Sequence, residues 1–170
     1  MIQVIDNFIP KNKFVELKNF MESPLVKWNY IDGINKDKDN DIEKFQFAFP
    51  FYIPNGGPTC QEVNLLSPIL QKLNVMFIVR VKANLTVASL EPKVLDDYHL
   101  DFRPLVGKGV KTAIYYINSN NGATLFETGK KVESIENRIV IFDHDIPHTG
   151  ISCSDKKRRI VINFNYFPEL

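Results

Sequence analysis

The chain has 170 residues, 21 Lys and Arg against 20 Asp and Glu, and 44% hydrophobic residues. That is the size of one domain, and the apolar content, with 13 Phe and 6 Tyr, is too high for a disordered chain. The charges nearly cancel, so no net field draws the protein onto nucleic acid or anionic lipid, and neither partner is expected.

Two cysteines, Cys60 and Cys153, make neither a multi-bridge framework nor a Cys-x-x-Cys pair, and are read as plain thiols of a reducing compartment. No run of about 18 apolar residues occurs, and the N-terminus lacks a basic start followed by a long apolar stretch. The expectation is a soluble, cytoplasmic protein without a membrane span. Oligomeric state is not readable from the sequence.

In chain order, Pro10 stands at a helix start, and Phe14, Leu17, Phe20 and Met21 recur at helical spacing, which predicts an amphipathic helix over residues 10–22. Residues 32–40 (DGINKDKDN) read as a polar surface loop. A second helical region is predicted over residues 59–73, kinked or restarted at Ser67-Pro68. From Asn74 the texture changes to short β-branched and aromatic runs: VMFIVRVKA, LTVASL, TAIYYIN, ATLFET, KVESI, RIVIFD and RIVINFNYF. Asn120-Asn121-Gly122 and Thr128-Gly129-Lys130 read as hairpin turns between them. Gly107-x-Gly109 lacks the third glycine of a dinucleotide loop and reads as a turn. Helices first and strands afterward predict an α+β, mainly β fold, with N-terminal helices packed on one face of a β-sandwich or partly open barrel. One domain over residues 1–170 is expected, with helical support over about 1–75 and a β core over about 76–168.

Only three histidines occur: His99, His144 and His148. In YHLDF, His99 and Asp101 are two apart, and on an extended strand such residues project from one face, so imidazole and carboxylate converge. His148 follows RIVIFD, 47 residues after Asp101. Two imidazoles and one carboxylate on a β scaffold form the facial triad of non-haem Fe(II) oxygenases, with open positions for other ligands. His144 competes for the third place, since both histidines lie in FDHDIPHTG; His148 is preferred and His144 read as a solvated loop residue. Lys156-Lys157-Arg158-Arg159 reads either as a solvated turn or as an anion anchor. Arg158 or Arg159 opens the last strand, where a guanidinium fork is suited to a carboxylate.

The ordered set His99-x-Asp101, TAIYYIN, GATLF, NRIVIFD, His148-x-Gly150 and RIVINFNYF resembles the 2-oxoglutarate and Fe(II)-dependent oxygenase superfamily, within it the prolyl-hydroxylase-like branch. The resemblance spans residues 76–168. It implies a double-stranded β-helix (jelly-roll, cupin-like) core, His99, Asp101 and His148 as iron ligands, and a strand-opening arginine gripping the distal carboxylate of 2-oxoglutarate. In the family that arginine precedes inward residues at +2, +4 and +6; Val161, Asn163 and Asn165 fill them from Arg159, whereas Ile160, Ile162 and Phe164 fill them from Arg158. Arg159 is the choice, and Tyr116 is expected to donate its hydroxyl to the same carboxylate. The demethylase branch carries a second arginine six positions on, where this chain has Asn165 or Phe164. Halogenating relatives lose the carboxylate ligand, and Asp101 is present.

The resemblance implies a dioxygenase (hydroxylase) with Fe(II) as cofactor and 2-oxoglutarate and O2 as cosubstrates, ascorbate being a further candidate, that releases succinate and CO2. A prolyl residue in a protein or peptide is the first expected substrate, with free amino acids and other small molecules open. Residues 32–40 and 93–98 are candidate rims of the substrate site. The rival readings are a non-catalytic metal- or anion-binding β-barrel module and a zinc hydrolase on the same three ligands.

Overall fold

The computed structural model describes residues 1–34, 41–101 and 109–169. Its elements are β1 (Ile2–Ile5), α1 (Lys11–Glu22), β2 (Asn29–Ile31), β3 (Gln46–Ile53), β4 (Gly57–Pro58), a 3-10 helix (Gln61–Leu66), α2 (Ser67–Lys72), β5 (Val75–Val87), β6 (Lys111–Tyr116), β7 (Ala123–Phe126), β8 (Lys131–Glu133), β9 (Ile139–Asp143), β10 (His148–Ile151) and β11 (Arg158–Pro168).

An eight-stranded antiparallel sheet runs β1-β9-β6-β11-β5-β3-β2, with β4 on β3, and faces a three-stranded sheet β10-β7-β8. Residues 94–99 extend the smaller sheet, bridging to β10 at Val94 and His99. The result is the mainly β, jelly-roll arrangement the sequence predicts. The helices cover the outer face of the large sheet, where Phe14, Leu17 and Met21 of α1 pack with Ile160, Ile162 and Phe164 of β11. A smaller cluster, with Tyr116, Phe126, Phe142 and Val161, fills the space between the sheets. β11 is therefore buried on both faces. Its even-numbered residues face the helices, and its odd-numbered residues face the smaller sheet.

The helix predicted over residues 10–22 is α1, and Ser67-Pro68 does restart the second region, where Pro68 occupies the first turn of α2. Elsewhere the structure corrects the element pattern. Four strands precede residue 60, so the N-terminal segment is not purely helical. β1 covers the β9 edge, and β3 tolerates Pro50 because the register with β5 shifts between Pro50 and Tyr52. VMFIVRVKA and the first three residues of LTVASL are one continuous strand, β5. Asn120-Asn121-Gly122 is not a hairpin: β6 and β7 lie in different sheets, and the turn carries the chain between them. Thr128-Gly129-Lys130 does close the β7-β8 hairpin, with Gly129 at φ +85 where a side chain would be strained. Parts of two expected features, residues 35–40 and Gly107, lie outside the described residues.

Candidate metal and anion site

A cross-strand pair positions the two histidines. The backbone N–H of His99 donates to the His148 carbonyl at 3.0 Å, and that of His148 donates back at 3.1 Å. Residues paired this way project side chains from the same face, and the two imidazole centroids lie 4.9 Å apart. Asp101, two residues beyond His99, closes the group: its Oδ1 is 3.8 Å from His99 Nε2 and 3.9 Å from His148 Nε2. One ligand atom from each of the three lies within 4.8 Å of the others.

The surroundings fix these donors. His148 Nδ1 donates to the Ile146 carbonyl at 3.2 Å, which leaves Nε2 as the lone-pair nitrogen, and Nε2 is buried without a hydrogen-bond partner. Phe142 stands edge-on to the His148 ring at 4.8 Å. Burial, reinforced by His148, holds His99 below the ordinary histidine range despite the opposing Asp101 charge. Burial alone would raise the Asp101 carboxyl; His148, Arg80, His99 and Lys82 outweigh it and keep the group ionised. Asn163 Nδ2 donates to both Asp101 oxygens at 3.3 Å, and Arg80 donates to the Asp101 carbonyl at 2.9 Å. Two imidazoles, each with a buried nitrogen that lacks a hydrogen-bond partner, and a carboxylate held ionised fit a divalent transition metal. His144 is not part of the group; its Nδ1 donates to the Val110 carbonyl at 3.2 Å.

The same cavity, about 160 Å³, runs from His99, Asp101 and His148 to Thr124, Gly150 and Arg159. Arg159 is 4% exposed. Its Nε donates to Ser134 Oγ at 2.8 Å and its Nη2 to Thr124 Oγ1 at 3.2 Å. Among the described residues no carboxylate pairs with it, and burial lowers its pKa from the ordinary arginine value, which Tyr116 partly offsets. A buried guanidinium lacking an acid is costly unless a ligand supplies the anion. Arg158 is half-buried and is not among the residues lining the cavity. Arg159, Val161 and Asn163 do line it, while Ile160, Ile162 and Phe164 enter the helix-side core.

Two glycines beside Arg159 leave space that a side chain would fill. A Cβ on Gly122 would lie 2.7 Å from the Ile151 carbonyl oxygen and 2.9 Å from Arg159 Cδ. One on Gly150 would lie 2.9 Å from Leu95 Cδ1.

Tyr116 stands one step behind the cavity. It packs in the inter-sheet core beneath the Arg159 guanidinium, 5.7 Å from ring to Cζ, and donates to Thr124 Oγ1 at 2.8 Å. Of the two, Thr124 and not Tyr116 lines the cavity. Because Thr124 Oγ1 accepts from both Tyr116 and Arg159, its own proton is free to point at a ligand. Sequence reasoning passed over Thr124, a β-branched residue in an apolar strand with no motif to mark it. It also passed over the β5 residues Arg80, Lys82, Asn84 and Thr86, because Asn84 was read as a break between two strands. The strand alternation of an uninterrupted β5 is the signal that finds them.

No family profile and no curated protein sequence matches the chain. Solved structures do. A prolyl hydroxylase from Trichoplax adhaerens, in complex with a hypoxia inducible factor oxygen degradation domain peptide fragment, superposes with a TM-score of 0.64 at 15% identity, over 97% of this chain and 83% of that one. A Pseudomonas putida prolyl-4-hydroxylase gives 0.60 at 14% identity, over 99% and 92%. A 2OG-Fe(II) oxygenase family oxidoreductase from Burkholderia pseudomallei gives 0.69 at 9% identity, over 97% and 84%. The chain has the fold of these 2-oxoglutarate and Fe(II)-dependent oxygenases, prolyl hydroxylases among them.

Proposed function

We propose that the protein is an Fe(II)- and 2-oxoglutarate-dependent dioxygenase that hydroxylates a substrate C–H bond. The observation that carries this reading is the shared cavity, which joins a converging His-Asp-His donor set at one end to a buried guanidinium at the other, with which no carboxylate among the described residues pairs. A zinc hydrolase needs only the first of these, and a plain anion-binding module only the second. A cosubstrate with a metal-chelating end and a distal carboxylate needs both, and the fold neighbours support the same reaction class.

In this reading His99, Asp101 and His148 hold the metal. Fe(II) bound there would activate O2, which is the oxidant: one oxygen atom would enter the substrate C–H bond as hydroxyl and the other would enter succinate as 2-oxoglutarate loses CO2. The chain's own groups position and isolate. Arg159 grips the distal carboxylate, and Thr124, rather than Tyr116, donates the accompanying hydroxyl hydrogen bond. Tyr116 orients Thr124 from behind. Asn163 fixes the Asp101 carboxylate, and the Ile146 carbonyl fixes the His148 tautomer. Phe126, Phe142 and Val161 pack the space between the sheets and keep bulk water from the back of the site.

The prolyl hydroxylases among the neighbours support a prolyl residue as one substrate candidate; a free amino acid or other small molecule is another. The test is succinate release from 2-oxoglutarate under air. Turnover that requires Fe(II) and disappears in Asp101→Ala is expected. Equal release by wild type and Asp101→Ala, or hydrolytic activity with Zn(II) and no need for the cosubstrate, would overturn the proposal.

A further inference from the structure

The β5 side of the cavity carries a row of polar side chains opposite β11. Arg80, Lys82, Asn84 and Thr86 alternate along β5 and line the cavity together. In the β5-β11 ladder they stand opposite Asn165, Asn163, Val161 and Arg159. Arg80 is committed, donating to Asn165 Oδ1 at 3.1 Å and to the Asp101 carbonyl. Lys82 makes no hydrogen bond or ion pair among the described residues, although it is half-buried beside the donor set. Along the cavity wall, Asn84 Oδ1, Thr86 Oγ1 and Asn163 Oδ1 are buried with no hydrogen-bond partner. Unmet groups of that kind are costly in a protein interior unless something else fills them.

Charge points the same way. Among the described lining residues, three cations (Arg80, Lys82, Arg159) face one carboxylate (Asp101), a surplus of two positive charges. Fe(II) and dianionic 2-oxoglutarate cancel one another and leave the surplus standing. A neutral prolyl residue would leave it too. An anion at Lys82 reduces it, and N–H or O–H donors on the same molecule satisfy the orphaned oxygens.

We infer that the substrate is a small carboxylic acid bearing amino or hydroxyl donors, with its carboxylate bound by Lys82 and its donors meeting Asn84 Oδ1 and Asn163 Oδ1. The inference rests on the oxygenase reading and narrows its substrate. It disfavours an uncharged peptide segment as the group placed next to the metal.

The experiment uses the Fe(II)-loaded protein. Binding of 2-oxoglutarate is measured first, anaerobically, by calorimetry. In the same cell follow a pool of the twenty free L-amino acids, a pool of lactate, glycerate and malate, the matched primary amides of both, and a capped Ala-Pro-Ala peptide. Heat from one of the acid pools but not from its amides or the peptide is expected, with succinate release under air rising for the same pool. For the acid so found, Lys82→Met raises KM by about tenfold or more with a smaller change in kcat, and Lys82→Arg recovers part of the loss. Amides or peptide performing as well as the acids would overturn the inference, as would an unmoved KM in Lys82→Met or its loss of 2-oxoglutarate binding. If 2-oxoglutarate binds and no acid does, the substrate inference falls alone; if 2-oxoglutarate does not bind, both fall. Should Lys82→Met fail to fold, the acid-against-amide comparison on the unaltered protein still decides.

Discussion

Asn163 Nδ2 lies 3.3 Å from each carboxylate oxygen of Asp101, so one amide on β11 clamps both oxygens of a buried anion. Four residues earlier on the same strand face, Arg159 reaches the other end of the cavity. One strand therefore sets both ends of the site, and the spacing between them is that of an extended chain. Asn163→Leu is expected to lower metal affinity by about 10- to 100-fold, the usual scale for losing a group that orients a metal ligand. Fe(II) titration of the apoprotein measures it. Asp101→Ala should bind still less metal, and unchanged affinity in Asn163→Leu would show that the amide orients nothing.

Arg159→Met should weaken 2-oxoglutarate binding by about 2–5 kcal/mol, the cost of truncating one partner of a buried charge pair. Arg158→Met is the comparison, since Arg158 is half-buried and off the cavity wall. Thr124→Val should weaken binding less than Arg159→Met. Tyr116→Phe should do less again, because the phenol reaches the cavity only through Thr124. Anaerobic calorimetry ranks the four, and a larger effect for Tyr116→Phe than for Thr124→Val would reverse the order given to those two hydroxyls.

Gly122→Ala places a methyl against the Ile151 carbonyl and the Arg159 side chain. Overpacking of this kind typically costs about 1–3 kcal/mol of stability. Because Arg159 is one of the atoms displaced, 2-oxoglutarate affinity should fall as well. Urea denaturation and a cosubstrate titration of the same variant separate the two effects; a loss of stability with unaltered affinity would show that the guanidinium does not move.

The pH dependence of stability has a marker away from the site. A hydrogen bond from Lys111 Nζ at 2.5 Å and another from the N-terminal ammonium lower the Asp143 carboxyl to about 2. A carboxyl depressed on folding stabilises the protein above its unfolded pKa, and that contribution disappears as pH falls from about 4 toward the folded value. Asp143→Asn should therefore flatten the stability profile in that acid window and leave the profile near neutrality unaltered. Its size is modest, since both partners are more than a third exposed. An unflattened acid limb in urea melts of the variant would assign the loss to other carboxyls.

Much of the site was legible because strand periodicity converts spacing into direction. His99 and Asp101 at i and i+2, and the odd-numbered residues of β11, follow from that rule alone. His148, preferred over His144, lines the cavity with His99 and Asp101, yet its place in a strand was not visible: HTGI is short, and its pairing partners lie in β7 and in residues 94–99, far away in sequence. The N-terminal strands were missed for a related reason. IQVI and NYI are too short to show a period, and Pro50 interrupts the longer run until a shift of register absorbs it. The sequence placed Tyr116 at the cosubstrate, and what it could not show is that the Tyr116 hydroxyl donates to Thr124 on the facing sheet, the residue of the two that lines the cavity.

The most direct test of the central claim is an anaerobic titration of the Fe(II)-loaded protein with 2-oxoglutarate, followed in the visible range, with Asp101→Ala in parallel. A weak charge-transfer band that saturates with the cosubstrate in the unaltered protein and is missing in Asp101→Ala is expected. A folded, iron-loaded protein that gives no band would contradict the claim and leave the cavity as a binding site for another anion.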